Sequence, residues 1–197
     1  MNRLIRLGLF TGMLLIAAKQ LTAQTHTFEI RLGSHAIGTV EARLNINGAA
    51  RRTEIKSRIE TMLKSKITDI SCEYSNNILV QARSYSSSGK NADDGKATVT
   101  RRDGVHYLVS LEGQQSTLND GDIQHSVSDL YFSEPKQVTR IYSETLGKFL
   151  ALKALGNGAY ELSLPEGKKN VYRYQKGALV EVEVNHTLGK AFIVRTS

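Results

Sequence analysis

Alternation of apolar and polar residues is the dominant pattern of this chain, and it is clearest over residues 146–196. Successive segments alternate there, and Gly-Asn-Gly, Pro-Glu-Gly, Lys-Gly and Leu-Gly separate them. A period of two places each apolar set on one face of a pleated strand. The pattern therefore predicts an antiparallel β-meander with one solvated face. Its apolar sets include Tyr160, Leu162 and Leu164, and Val180, Val182 and Val184.

Shorter runs of the same alternation precede the meander, and turn dipeptides join several of them. Asn47-Gly48, Asn76-Asn77 and Asp103-Gly104 combine residues that tight turns favour. On the run that follows Asp103-Gly104, we expect one apolar face made of Val105, Tyr107, Val109 and Leu111. Together these features predict strands over 27–32, 40–46, 67–74, 78–85, 97–101, 105–111 and 138–142.

The remaining stretches show weaker or different patterns. Residues 51–66 fit both a helix and a strand, and the neighbouring strands favour a strand that ends in an irregular or short helical turn. Residues 86–96 and 113–122 are polar and rich in turn-forming residues, which predicts loops. Residues 126–132 predict a short helix, because Ser126 or Ser128 can cap it and Pro135 follows its end. The sequence thus predicts an all-β domain of about ten strands with one short helix near 126–132.

The first 23 residues have the layout of a secretory signal peptide. Arg3 and Arg6 precede an apolar stretch over 7–18 and a polar exit over 19–23. The apolar stretch is shorter than the about 20 residues that a membrane-spanning helix needs. We therefore expect cleavage between Ala23 and Gln24, which leaves a single domain over 24–197. This predicts an exported protein, periplasmic or extracellular, without stable membrane insertion; an uncleaved anchor is the alternative.

Charge argues against a nucleic-acid partner. The formal net charge of +7 falls by three, to +4, when Arg3, Arg6 and Lys19 leave with the predicted signal peptide. The other basic residues are interspersed with acidic ones, whereas nucleic-acid binding favours a basic stripe with stacking aromatic residues.

Cys72 is the single cysteine, so an internal disulfide is impossible. It alternates with Ile70 and Tyr74, which favours a buried core thiol over a reactive one. An intermolecular disulfide is the alternative.

Motifs that carry chemistry are absent from the sequence. None of the five histidines pairs with another at metal-ligand spacing, and no G-x-S-x-G or P-loop pattern occurs. The run Asn119-Asp120-Gly121-Asp122 lacks the ligand spacing of a calcium loop, so a plain turn is favoured. Glu181 and Glu183 are expected on the solvent face of a strand, and Tyr172 and Tyr174 on a half-buried one. We expect no catalytic, metal-binding or cofactor-binding residue; the histidines are His26, His35, His106, His125 and His186.

A resemblance follows from the order of these features: an opening strand Phe28-Glu29-Ile30, a Gly33 to Gly38 turn, a helix at Val127-Ser128-Asp129-Leu130-Tyr131-Phe132, and a glycine-punctuated meander. This layout resembles uncharacterised "domain of unknown function" families of exported bacterial proteins. The resemblance implies a curved antiparallel sheet, an open or nearly closed barrel, with the short helix against it. It implies no catalytic residues.

Three functional hypotheses follow from the sequence. The first is an exported non-enzymatic domain that binds a hydrophobic small molecule in its concave face, because barrel mouths are common binding sites. The second is a structural or protein-interaction module of the cell envelope that docks through a sheet edge or an apolar patch. The third, a hydrolase, has no support beyond predicted export.

Overall fold

The computed structural model describes residues 21–61, 65–89, 95–186 and 189–197, and these residues form an all-β domain. A 3₁₀ helix spans Val127–Tyr131, and a second short 3₁₀ segment spans Pro165–Gly167. The strands are β1 (Leu21–Leu32), β2 (His35–Asn47), β3 (Ala50–Glu60), β4 (Ser65–Ser75), β5 (Ile78–Ser88), β6 (Lys96–Asp103), β7 (His106–Leu111), β8 (Gln114–Leu118), β9 (Arg140–Ser143), β10 (Lys148–Gly156), β11 (Ala159–Ser163), β12 (Lys169–Gln175), β13 (Ala178–His186) and β14 (Gly189–Arg195).

All fourteen strands belong to one antiparallel sheet in the order β8-β7-β6-β5-β4-β3-β2-β1-β14-β13-β12-β11-β10-β9. Each strand therefore pairs with its neighbour along the chain, except that β8 does not pair with β9. The first and last strands pair instead, with Phe28 opposite Arg195. The two free edges of the sheet, β8 and β9, consequently come from the middle of the chain.

The sheet curls until its β9 edge lies inside the other end. Ser84 of β5 contacts the Thr145 hydroxyl at 3.2 Å, and the Thr98 hydroxyl of β6 donates to the Thr145 carbonyl at 2.9 Å. The Thr100 and Tyr142 hydroxyls lie 2.6 Å apart. These contacts hold the hairpin of β9 and β10 against the inner face of β5 and β6. The result is a rolled, open sheet.

Two apolar clusters fill the roll. The larger cluster joins β1, β2 and β3 to β9–β13 and includes Leu130 of the 3₁₀ helix. The smaller one joins β4, β5 and β7 to β9, and its three tyrosines, Tyr74, Tyr107 and Tyr142, are its largest members. Burial of these side chains is the main stabilising contribution, at about 25 cal/mol per Å² of apolar surface. The smaller cluster contains Cys72, Tyr74, Leu79, Ala82, Tyr107, Ile123 and Tyr142.

The structure confirms the predicted all-β class, the meander and the short helix, and it corrects the strand number from about ten to fourteen. Of the ambiguous residues 51–66, those up to Glu60 belong to β3 and those from Ser65 belong to β4, and residues 62–64 lie outside the described ranges. The predicted loop over 113–122 is wrong in part, because Gln114–Leu118 forms β8. This strand is polar and mostly exposed on both faces, so no apolar alternation marks it. Within the predicted loop over 86–96, β5 extends to Ser88, and residues 90–94 lie outside the described ranges.

Two predicted apolar faces also need correction. Val105 lies in the β6–β7 turn and is 83% exposed, so only Tyr107 and Val109 of that set enter the core. A β-bulge between β12 and β13 pairs Tyr174 with Leu179 and shifts the alternation. Leu179 therefore occupies the core position expected for Val180. A bulge adds one residue to one strand, and strict alternation cannot anticipate it.

Most of the predicted signal peptide, residues 1–20, lies outside the described residues. Residues 21–23 form the start of β1 and pair with the end of β2, Leu21 opposite Asn47. Cleavage after Ala23 stays a prediction. Over the ranges that the structure describes, no helix has the length and apolar character needed to cross a membrane.

Candidate functional site

A buried polar cluster joins the 3₁₀ helix to the inner face of the sheet. Ser126 precedes the helix, and its backbone N–H donates to Asp129 Oδ2 at 2.9 Å. The Tyr74 hydroxyl donates to the same oxygen at 3.0 Å, and Arg51 forms an ion pair with the other oxygen. The Arg51 guanidinium also lies 3.7 Å from the centre of the Tyr74 ring. Asp129 thus connects the helix to β3 and β4.

Glu144 forms the second half of this cluster and is 1% exposed. Its Oε1 accepts from the Ser128 N–H at 2.9 Å and from the Cys72 thiol at 3.3 Å. Burial raises the pKa of Cys72 well above its usual value, and the Glu144 carboxylate adds to that shift. The thiol therefore stays protonated and out of reach of solvent, as the sequence indicated. A buried neutral thiol is a poor nucleophile, and the hydrogen bonds of this cluster join the 3₁₀ helix to the sheet.

Alkaline pH is expected to destabilise the domain through Tyr142. Burial is the main factor that raises the pKa of its hydroxyl from 10 to about 12. The unfolded chain releases this proton first, so the stabilisation is complete below pH 10 and is lost as pH rises through 12. At pH 11 the loss from this one group is about 1 kcal/mol.

Urea unfolding at pH 8 and pH 11 measures this effect. Tyr142→Phe removes the ionisable group, and its loss of stability between the two pH values should be about 1 kcal/mol smaller than that of the wild type. Equal losses in both proteins would assign the alkaline sensitivity to other groups.

The outer face of β5 to β8 presents a different chemistry. Cross-strand registers place Arg83, Val99, Ser110 and Gln115 in one row across the four strands. Arg101, Leu108 and Thr117 form the next row on β6, β7 and β8. A depression of about 350 Å³ lies over this surface, and its lining includes Val99, Arg101 and Leu108. This surface, which we call the outer groove, combines exposed apolar side chains with hydroxyl, amide and guanidinium groups.

The free edge of β8 borders the outer groove. Glu112 and Gly113 form the two-residue turn between β7 and β8, so Leu111 and Gln114 exchange backbone hydrogen bonds. Hydrogen-bonded and non-hydrogen-bonded pairs alternate along an antiparallel ladder. The backbone N–H and C=O groups of Gln115 and Thr117 therefore point away from β7. Within the described part of the chain, no backbone hydrogen bond joins them to another strand.

The structure does not bring the histidines together into a site. His26 lies 2.7 Å from Arg195 and packs on Phe132; burial, then Arg195, lowers its pKa. His106 lies 3.4 Å from Asp103 in the β6–β7 turn. Among the described residues, no three His, Cys, Asp or Glu side chains cluster as metal ligands.

The acidic and aromatic pairs singled out in the sequence have structural partners. Arg173 contacts both Glu181 and Glu183 at 2.7 Å, and Lys190 contacts Glu183 at 2.6 Å. The Tyr174 hydroxyl donates to the Leu130 carbonyl at 2.7 Å. Tyr172 is buried at 3% exposure, so both tyrosines lie in the core and not on a half-buried face. The free β8 edge was not among the sequence candidates, because its residues predicted a loop.

Comparison with known proteins places the chain in a family without an assigned activity. A family model described as "Domain of unknown function (DUF6134)" matches residues 28–196. The chain belongs to this DUF6134 family. The resemblance to an uncharacterised all-β family is thereby confirmed. No curated protein matches the DUF6134 chain.

A solved structure supports the fold. The crystal structure of a β-barrel-like protein of domain of unknown function DUF1849 from Brucella abortus matches with a TM-score of 0.53 and 9% identity. The match covers 91% of the DUF6134 chain and 98% of the other chain. The likeness extends over almost the whole of both molecules, and at this identity it concerns the fold alone.

Proposed function

We propose that the DUF6134 chain is an exported, non-enzymatic interaction domain that accepts an extended segment of a partner protein at the free edge of β8. The observation behind this proposal is that the backbone N–H and C=O groups of Gln115 and Thr117 point away from β7. Two donors and two acceptors in that arrangement match the backbone of one added strand. Side chains of the added strand would alternate between the outer groove and the interior of the roll.

The β9 edge of the sheet is covered by another segment of the chain and the β8 edge is not, and this difference supports the proposal. Edge strands are usually blunted by charged residues, proline or bulges, or covered by another segment. The β9 edge is covered, since the Tyr142 N–H donates to the His125 carbonyl at 3.0 Å and Ser126 bridges to Tyr142. The β8 edge, Gln114–Leu118, contains no charged residue and no proline. Of the features that usually keep an edge strand from pairing with another chain, β8 has only its short length of five residues.

The concave face gives less support to the hydrophobic-ligand hypothesis. Its aromatic side chains pack against the chain itself: the Phe28 and Tyr131 rings meet edge to face at 5.4 Å, and Tyr160 and Tyr174 do so at 5.7 Å. Leu130 of the 3₁₀ helix is 1% exposed in the same cluster. A ligand would have to displace these side chains. Cargo binding in the concave face therefore stays a prediction.

Photo-crosslinking in the native cell envelope tests strand addition. A benzophenone amino acid at position 117 places the reactive group on the outer face of the edge strand. In this background, Gln115→Pro removes an outward N–H that makes no bond to β7, so the fold should tolerate it. Gln115→Ala keeps that N–H and removes the side chain. We expect a specific crosslinked product that survives Gln115→Ala and falls at least tenfold with Gln115→Pro.

The outcomes separate the alternatives. A product that both variants retain would show that the contact does not use the β8 backbone, and would overturn strand addition. A product that contains two copies of the chain would identify the partner segment as β8 of a second molecule. Circular dichroism and thermal unfolding of Gln115→Pro establish that any loss is not due to misfolding.

A further inference from the structure

Two arginines on the outer face differ from every other arginine in the described residues. Arg83 on β5 and Arg101 on β6 are exposed and have no hydrogen bond or ion pair within the part of the chain that the structure describes. Elsewhere in the described ranges each guanidinium has a carboxylate, carbonyl or ring-nitrogen partner. These arginines are Arg31, Arg43, Arg51, Arg52, Arg58, Arg102, Arg140, Arg173 and Arg195.

The register places the two unpaired arginines at neighbouring positions on the outer face of the sheet. Arg83 lies opposite Val99, and Arg101 is two residues further along the same face of β6. Such diagonal neighbours are about 7–8 Å apart at the backbone, within reach of two long side chains. Glu73 and Asp69 both lie diagonally across β4 from Arg83. The Glu73 carboxylate accepts from Arg52 at 3.2 Å, and Asp69 is exposed and forms no ion pair with Arg83 among the described residues. Within the described ranges, neither arginine thus has an acidic partner, although acidic residues are nearby.

Apolar surface adjoins this arginine pair. The outer groove meets a second depression of about 400 Å³, and both are lined by Val99. Leu108, directly beside Arg101, is 46% exposed. A ligand held between the guanidinium groups would therefore place its neighbouring atoms on Val99 and Leu108.

We propose that Arg83 and Arg101 bind the phosphate group of an anionic amphiphile, whose apolar part lies over Val99 and Leu108. Charge decides between anions: two guanidinium groups carry +2, and a phosphate monoester carries about −1.5 to −2 at pH 7, whereas a carboxylate carries −1. A terminal phosphate also offers three strong acceptor oxygens that two forked donors can share. The apolar surface next to the pair favours an amphiphile over free phosphate.

Calorimetric titration of the full-length protein tests the site with three soluble probes below their critical micelle concentrations. The probes are dihexanoyl phosphatidic acid, dihexanoyl phosphatidylcholine and inorganic phosphate. The test variant is Arg83→Gln with Arg101→Gln. The matched control, Lys153→Gln with Lys176→Gln, removes the same charge from two exposed lysines on β10 and the β12–β13 turn.

We expect phosphatidic acid to bind the wild type and the lysine control with equal affinity, and the arginine variant at least tenfold more weakly. Inorganic phosphate should bind more weakly at the same residues; equal affinity for the two would identify free phosphate as the ligand. The proposal would be overturned if phosphatidylcholine bound as tightly as phosphatidic acid. An equal loss of affinity for phosphatidic acid in the arginine and lysine double variants would also overturn it, as would a wild type that bound none of the three probes. Gln115→Pro should leave the affinity for phosphatidic acid unchanged, because it alters neither arginine. The phosphate-site proposal and the strand-addition proposal can therefore be tested separately.

Discussion

Asp129→Ala is expected to lower the free energy of unfolding by about 3 kcal/mol or more. The substitution removes the acceptor of the Ser126 N–H and of the Tyr74 hydroxyl, and both residues are buried. It also removes the ion-pair partner of Arg51, whose side chain is 19% exposed. Buried donors left without acceptors cost about 1–3 kcal/mol each, and that cost accounts for most of the expected loss.

Asp122→Ala is the matched control for this prediction. Asp122 also pairs with an arginine, Arg102 at 2.8 Å, but its side chain is 40% exposed. Exposed ion pairs contribute about 0–1 kcal/mol, so the control should unfold almost like the wild type. Urea unfolding at pH 7 measures both variants. Equal and small losses would mean that the 3₁₀ helix is held by its apolar contacts alone, and that the polar cluster does not anchor it.

Gly38→Ala is expected to cost about 3 kcal/mol or more, because no space exists for a methyl group between β2 and β3. A Cβ at this position would lie 2.2 Å from the Arg58 carbonyl oxygen and 2.9 Å from the Ile59 Cα. Both are backbone atoms, so no side-chain rotation relieves the contact. Gly38 also lies next to the bulge where the β1–β2 register shifts. The substitution should separate β2 from β3 locally and weaken the larger core cluster, to which both strands contribute.

Gly33→Ala separates this steric effect from backbone strain. Gly33 lies in the β1–β2 turn with φ +60°, and an added Cβ would meet nothing within 4 Å. A left-handed residue with a side chain costs about 1–2 kcal/mol, so this loss should be the smaller one. Thermal unfolding ranks the two variants. A Gly38→Ala protein as stable as Gly33→Ala would show that the two strands move apart without loss of pairing.

The sequence predicted most of the strands because their cause is local. The alternation of apolar and polar residues along β10–β13 is typical of a sheet with one buried face. In the β4–β5 turn, Asn76 and Asn77 adopt the positive φ angles that the turn requires, 52° and 62°. The cap of the 3₁₀ helix was also predictable from the sequence, since Ser126 and Asp129 lie three residues apart and hydrogen-bond to each other in a capping box. The burial of Cys72 followed from its alternation with apolar neighbours.

The candidate sites were not predictable in the same way, because each depends on residues that only the curled sheet brings together. Arg51 and Asp129 are 78 residues apart in sequence, and Cys72 and Glu144 are 72 apart. The β8 strand has no apolar period, because pairing with β7 and not burial defines it. Arg83 and Arg101 become neighbours through the β5–β6 register, which no local pattern reports.

The amino-acid sequence by itself therefore determined the all-β class, most strand positions, the turns and the capped helix, since these follow from short-range periodicity and backbone preference. The tertiary structure alone decided that the β1–β14 pairing brings the two ends of the chain together and that the β9 edge is rolled inside. It also decided that β8 is a free edge of the sheet and that Arg83 and Arg101 have no partner among the residues that the structure describes. These features are set by long-range strand pairing and by the curvature of the sheet, which arise from packing between residues distant in sequence.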